Sequence, residues 1–317
     1  HILIVPNSTL AGSIINNMTW SSQLRRHQLT VPLVFNAPPQ SVKEALVEAA
    51  LGVREVDRVK PPDAHLHEYR DYGVVYQVRF WSRTFHDRTH LEGTVRERIW
   101  YQLRRRGLEI PFPQGGDLSV ASKITNLTWQ EPEAALKERL LRTSGFLERV
   151  LGDTPARPVL SREEIHSLAD GLRYRIYGPG EVIFQQGTVG TVCYLVASGQ
   201  LIGATRYEGM TTTQEFVIGQ GELVGEMALM TDLPRSSTIR VDRQEVELLE
   251  FSRELFSALL ENAAASDAIS AMVAQRSKHL FEELQLLEPG QRQQLQHQLT
   301  HHPILRKLGA SLGFNVT

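Results

Sequence analysis

The residues best suited to ligand chemistry in this 317-residue chain lie in one stretch, Gly225-Glu226-Met227-Ala228-Leu229-Met230-Thr231-Asp232-Leu233-Pro234-Arg235-Ser236-Ser237-Thr238-Ile239. Gly225 lets backbone approach a ligand closely, because it lacks a Cβ. Met227 to Met230, with Ala228 between them, suit a helical turn whose first amides point at an anion. Arg235 offers a rigid fork of donors that matches a phosphate. Ser236 and Ser237 add hydroxyls and backbone amides, and Glu226 can accept hydrogen bonds from a sugar hydroxyl. One acid, one arginine and a glycine turn together suit a ligand that carries both ribose and phosphate.

Other letter patterns do not assemble into a site. Gly309-Ala310-Ser311-Leu312-Gly313 spells a nucleophile elbow, but it follows no strand and has no acid or histidine after it. Gly219-Gln220-Gly221 with Gly225 misses the dinucleotide spacing by one residue, and no phosphate-loop lysine is present. His297, His301 and His302 read as a polar helix end. Cys193 is the single cysteine, which excludes an internal disulfide and a multi-cysteine zinc site; a small core residue in a strand is expected there. With no catalytic constellation, no enzymatic activity is expected.

The elements around this stretch follow from patterning. From Leu172 to Phe251, short β-rich runs alternate with glycines 178, 180, 187, 190, 199, 203, 209, 219 and 221, which predicts a closed or sandwiched β unit. Ser161 and Glu164 have capping-box spacing before it. Ile269, Met272, Val273, Leu280, Leu284 and Leu287 line one side of a helix after it. Residues 131–151 are helical by pattern, with Leu136, Leu140, Leu147 and Leu151 on one face and Gly145 as a weak point. Asp153–Pro158 reads as a linker, and the tail after Pro289 is rich in Gln and His.

The first third reads as a separate α+β unit. Ile2–Val5 and Leu29–Phe35 are β-rich. A helix is expected from Ser41, with Ser41 and Glu44 as its capping box and Gly52 as its end. Strands His65–Tyr69 and Val74–Trp81 follow, then a helix carrying Leu91, Val95, Ile99 and Leu103, closed by Gly107, then a last strand. Two prolines in Ile110-Pro111-Phe112-Pro113-Gln114, with Gly115-Gly116 behind them, mark a boundary.

Composition agrees with two soluble units. The chain is 41% apolar and 22% charged, with a mean hydropathy of −0.24. Residues 1–130 carry 16 Lys/Arg against 12 Asp/Glu, and residues 131–317 carry 18 against 24. That contrast is too mild for a nucleic-acid footprint, so no nucleic-acid partner is expected. No stretch approaches the ~18–20 apolar residues that span a bilayer. The chain opens on a β-like run without an initiating methionine, so an upstream segment is expected.

The stretch from Gly225 to Thr238 resembles the phosphate-binding cassette of the cyclic nucleotide-binding domain family, with Val224 where a Phe is usual. Gly180-Glu181-Val182-Ile183-Phe184-Gln185-Gln186-Gly187 and Tyr194-Leu195-Val196-Ala197-Ser198-Gly199 resemble its glycine landmarks. The resemblance implies cAMP or cGMP as regulatory ligand, bound by Gly225, Glu226, Met227, Ala228, Arg235, Ser236 and Ser237. A lid helix at 266–287 would offer Met272, Val273, Arg276 and Leu280 to the base. Val5-Pro6-Asn7-Ser8, Ile14-Ile15-Asn16-Asn17, Val78-Arg79-Phe80-Trp81 and Gly107-Leu108-Glu109-Ile110-Pro111-Phe112-Pro113-Gln114 resemble the cytoplasmic β and α/β domains of MscS-type mechanosensitive channels. That family implies a homo-heptamer, a transmembrane segment upstream, and a place on the cytoplasmic side of the inner membrane.

The expected fold is α+β: an MscS-like β domain (1–35, partial), a ferredoxin-like α/β domain (36–114), a linker with a helix (115–159), a cyclic nucleotide-binding β-roll with flanking helices (160–288) and a tail (289–317). The expected function is the cytoplasmic part of a cyclic nucleotide-regulated channel. The alternative is a soluble regulator, either a transcription factor or an enzyme's regulatory module. A transcription factor needs a helix-turn-helix after the lid, and the ~30 residues there are too few and too broken by Pro289-Gly290 and Pro303.

Overall fold

A computed structural model describes residues 4–12, 24–71, 73–83, 87–111, 132–149, 151–152, 159–206, 213–231 and 234–284, with side chains in the last helix described as far as residue 273. The chain divides into two compact units, His1–Pro113 and Gln114–Thr317. The sequence places its second division after Gln114.

The first unit contains α1 (Asn7–Ala11), β1 (Arg25–Leu33), α2 (Pro39–Leu51), β2 (Asp63–Arg70), β3 (Gly73–Ser82) and α3 (Arg88–Arg105). The three strands form an antiparallel sheet in the order β1-β3-β2. Along β1 every second residue is buried, His27, Leu29, Val31 and Leu33, as the period of two requires. Pro32 sits on an outward position of this edge strand, where a missing N–H does no harm. Val42, Ala45, Leu46 and Ala49 of α2 and Leu91, Val95, Ile99 and Leu103 of α3 meet β1 and β3 in one core.

Four expectations for this unit change. Residues 4–6 are not a strand, and Asn7–Ala11 is a short helix. A separate domain ending at residue 35 is not what forms: β1 pairs with β3 from Arg25↔Ser82 to Leu33↔Val74, which makes it part of the α/β unit. Helix α2 starts at Pro39 without a side-chain cap. Proline's fixed φ and missing N–H suit the first helical position, so the helix begins before Ser41 and leaves it inside the first turn. The strand expected after Gly107 is not seen at Ile110–Pro111, and its remainder lies outside the described residues.

The second unit contains helices α4 (Glu133–Thr143), α5 (Phe146–Arg149) and α6 (Arg162–Gly171), then β4 (Arg173–Tyr177), β5 (Val182–Phe184), β6 (Val192–Ser198), β7 (Leu201–Arg206), β8 (Thr213–Ile218) and β9 (Leu223–Val224). After these come α7 (Glu226–Thr231), β10 (Thr238–Val241), β11 (Val246–Ser252), α8 (Arg253–Glu261) and α9 (Ala263–Leu284). Two four-stranded antiparallel sheets form, β5-β10-β7-β8 and β4-β11-β6-β9. Strand β6 is covered on both faces. Tyr194 and Val196 join Phe184, Ile239 and Leu248 in one core, while Cys193, Leu195 and Ala197 join the helices in another.

The helix expected at 131–151 as a linker is neither single nor a linker. Ser144 ends α4, Gly145 turns the chain at φ 81°, and α5 follows. Leu140, Leu141, Phe146 and Leu147 lie in the helical core with Leu168, Leu195, Phe251 and Phe256. Lys137 Nζ donates to the carbonyls of Asp170 and Leu172, at 3.0 and 2.9 Å, and so closes the end of α6. The Ser161–Glu164 capping box forms as read, with both reciprocal hydrogen bonds present. The tail after Pro289 lies outside the described residues.

Candidate functional site

Short strand β9 delivers Gly225 to the head of α7, and Gly225 has a left-handed φ of 84°. A Cβ at this position would run into the Arg235 guanidinium and the Phe184 ring. Both conformation and space therefore call for glycine. Glu226 opens α7 and is 4% exposed. Ala228 is buried, and Met227 packs against the helical core.

Arg235 is held twice. Its N–H donates to the Thr188 carbonyl at 2.8 Å, and its own carbonyl accepts from the Gly187 N–H at 2.8 Å. This ties its backbone to the β5–β6 loop. Its side chain folds back over the same loop: Nη1 donates to the Gly225 carbonyl at 2.7 Å, and Nη2 donates to the Val192 carbonyl at 2.6 Å. The guanidinium carbon lies 3.6 Å from the centre of the Phe184 ring. Gly190 makes room, since a Cβ there would occupy the guanidinium's place.

Arg235 is 5% exposed, and burial pushes its pKa down. The charge of Glu226 acts against that shift. Arg235 is thus a buried cation held by two carbonyls and a ring, with the buried Glu226 carboxylate near enough for its charge to act on it. A guanidinium so placed beside a glycine turn fits a ligand that carries a phosphate.

Next to it, Ser237 is buried and its Oγ lies 2.6 Å from Thr205 Oγ. Thr238 Oγ1 accepts from the Gln186 N–H at 3.1 Å. Ser236 is exposed.

The family model "Cyclic nucleotide-binding domain" matches residues 174–263. The model "Mechanosensitive ion channel MscS, C-terminal" matches residues 27–110. The chain joins an MscS C-terminal domain to a cyclic nucleotide-binding domain. The match from residue 27 agrees with the place of β1 in the α/β unit.

The cyclic nucleotide-binding domain resembles parts of several curated proteins. It is 35% identical over 130 residues to the cyclic AMP receptor protein of Thermus thermophilus, covering 40% of this chain and 59% of that one. It is 30% identical over 145 residues to the cGMP-dependent protein kinase egl-4 of Caenorhabditis elegans, covering 45% of this chain and 17% of that one. A solved structure of the Thermus thermophilus catabolite activator protein aligns at 28% identity and a TM-score of 0.35, covering 50% of this chain and 79% of that chain. The chain thus spans only part of the curated relatives it matches.

Within the cyclic nucleotide-binding domain, the structure brings Gly225, Glu226, Arg235 and Ser237 into one buried neighbourhood. The lid candidates fare differently. Val273 is fully buried in the helical core, and Met272 is half-buried against it. Arg276 and Leu280 belong to α9 by backbone, and their side chains lie outside the described residues. Phe184, Gly190 and the Val192 carbonyl complete the setting of Arg235. No signal singled them out, although Phe184 and Gly190 fall among the glycine-spaced landmarks.

Proposed function

We propose that this chain is the cytoplasmic portion of a cyclic nucleotide-regulated channel of the MscS type, in which cAMP or cGMP bound at Gly225–Thr238 modulates the pore. The observation that carries the ligand reading is Arg235, a buried cation held by two backbone carbonyls and a ring beside a glycine that leaves room for it. The cyclic phosphate would meet Arg235, the Ser236–Ser237 segment and the Gly225 backbone, and Glu226 would take a ribose hydroxyl. Likeness to a cyclic AMP receptor protein makes cAMP the first ligand to test, and likeness to a cGMP-dependent kinase puts cGMP beside it.

The channel half of the reading rests on the MscS C-terminal domain. Among the described residues no helix is long and apolar enough to cross a membrane. In this reading the pore helices belong to an upstream segment of an integral membrane protein. The chain lies on the cytoplasmic side of the inner membrane, assembles with identical subunits as a homo-heptamer, and acts as a regulator rather than an enzyme.

Patch recording of the full-length protein tests the coupling. Currents that change on adding cAMP or cGMP, and that lose this response in Arg235→Ala, support it. Currents that ignore both nucleotides, while the isolated pocket binds them, overturn the coupling and leave the binding reading standing.

A further inference from the structure

Phe184 ends β5, one strand away from the cassette in the sheet order β5-β10-β7-β8. Its ring has two neighbours of different kinds. The Arg235 guanidinium lies over it at 3.6 Å from the ring centre. The Tyr194 ring stacks on it with centroids 5.3 Å apart and an interplanar angle of 27°. Tyr194 is itself anchored: its hydroxyl donates to Glu250 Oε2 at 3.2 Å and lies 3.4 Å from the Tyr177 hydroxyl. Glu250 is held in turn by Arg175, whose Nε donates to it at 2.9 Å. The Phe184 ring is thereby fixed in place by a polar network one layer away from the cassette.

An arginine side chain has several rotatable bonds and loses much freedom on being ordered. A ligand that must order it on arrival binds less tightly than one that finds it already set. Here the ring face, through its π electrons, attracts the cation. The Gly225 and Val192 carbonyls fix the tilt of the fork.

We propose that Phe184 is a positioning residue for nucleotide binding, its ring face holding the Arg235 guanidinium ahead of ligand in the orientation that meets a cyclic phosphate. This rests on the binding reading above and adds to it the residue that sets affinity through Arg235 without touching ligand. Phe184→Tyr keeps the face, and Phe184→Leu removes it at similar bulk. A finer test replaces residue 184 by phenylalanine bearing one, two or three ring fluorines, which drain π density and leave the shape nearly unchanged.

The experiment is calorimetric titration of the 317-residue chain with cAMP and with cGMP, beside thermal melts of each variant. The expected result is affinity falling stepwise with each fluorine while the melting temperature falls by no more than a few degrees. Phe184→Leu is expected to bind roughly three- to tenfold more weakly, and Phe184→Tyr close to wild type. A flat fluorine series overturns the proposal even where Phe184→Leu loses affinity, because the ring is then only packing. Unchanged affinity in Phe184→Leu overturns it as well. If Phe184→Leu does not fold, the fluorine series decides alone. A wild-type chain that binds neither nucleotide overturns the binding reading and this proposal together, an outcome distinct from the others.

Discussion

Both units bury a nitrogen base, and they treat it in opposite ways. In the first unit His27, 3% exposed, stacks on Phe80 and lies 2.9 Å from Ser82 Oγ and 3.3 Å from Glu92 Oε1. Arg88 completes the set, donating to Glu92 at 2.8 Å. Each group there has a partner of matching character, and the cluster links β1, β3 and α3. In the second unit the Arg235 guanidinium donates to backbone carbonyls and lies over a ring, and the Glu226 charge acts on it. A buried polar cluster that closes on itself secures a fold. Under the function proposed above, a cation tied to backbone carbonyls serves a ligand instead.

The contrast is broken most directly by removing Arg235. Arg235→Ala is expected to cost about 2–5 kcal/mol of nucleotide binding, which is roughly thirtyfold to several thousandfold in affinity. Unchanged affinity would mean the phosphate lies elsewhere. Glu226→Ala comes next, at about ten- to a hundredfold, because it loses a hydrogen bond to the sugar and no ion pair. Titration of both variants ranks them, and the reverse order would move the ligand's charge away from Arg235.

Gly225→Ala forces a side chain into left-handed backbone, at a cost of about 1–2 kcal/mol of stability, and its methyl displaces the guanidinium. Lower melting temperature and weaker binding are both expected, so a stable variant of full affinity would show that the cradle is not needed.

The smallest effect belongs to the first unit. Burial acts to raise the Glu92 carboxyl, but hydrogen bonds from Arg88 and His27, with their charges, outweigh it and hold Glu92 below its ordinary range. Its folded pKa is depressed. The stability it contributes is therefore present above the unfolded value, near pH ~4.3, and is lost as pH falls through the folded value. Glu92→Gln is expected to lower stability at neutral pH, to flatten the acid-side loss, and to leave nucleotide affinity unchanged. Denaturation from pH 7 down to pH 3, with titration at pH 7, reads all three. An affinity change in Glu92→Gln would blur the distinction between the two units.

What the sequence makes legible follows how local each cause is. The Ser161–Glu164 box forms because both partners sit within one turn and nothing before them competes. The same letters at Ser41 and Glu44 fail because Pro39 starts the helix earlier. Strand β1 is legible by alternation, but its assignment to a separate domain is wrong because β3, its partner, lies some forty residues on and only pairing reveals it. Gly145 is legible as a weak point. That it divides two helices inside the second core depends on Phe251 and Phe256, over a hundred residues away.

At the site, Gly225, Glu226, Arg235 and Ser237 are legible because cassette chemistry is contiguous in sequence. Phe184 and Gly190 are not, since they reach Arg235 through the β5–β10 pairing and the loop that follows β5. The lid side chains Met272 and Val273 were read from a stripe that serves the core, and a helical stripe alone does not distinguish the two uses.

The central claim, that Arg235 is a buried cation set for a cyclic phosphate, is tested most directly by calorimetric titration of the wild-type chain with cAMP and cGMP beside Arg235→Ala, each followed by a thermal melt. The account predicts saturable binding at one site per chain for at least one nucleotide. It also predicts stabilisation of the binding domain by ~2.7 kcal/mol at about a hundred times the dissociation constant, with both effects lost or greatly weakened in Arg235→Ala. No heat and no melting shift in the wild type, or equal affinity in the variant, would contradict it.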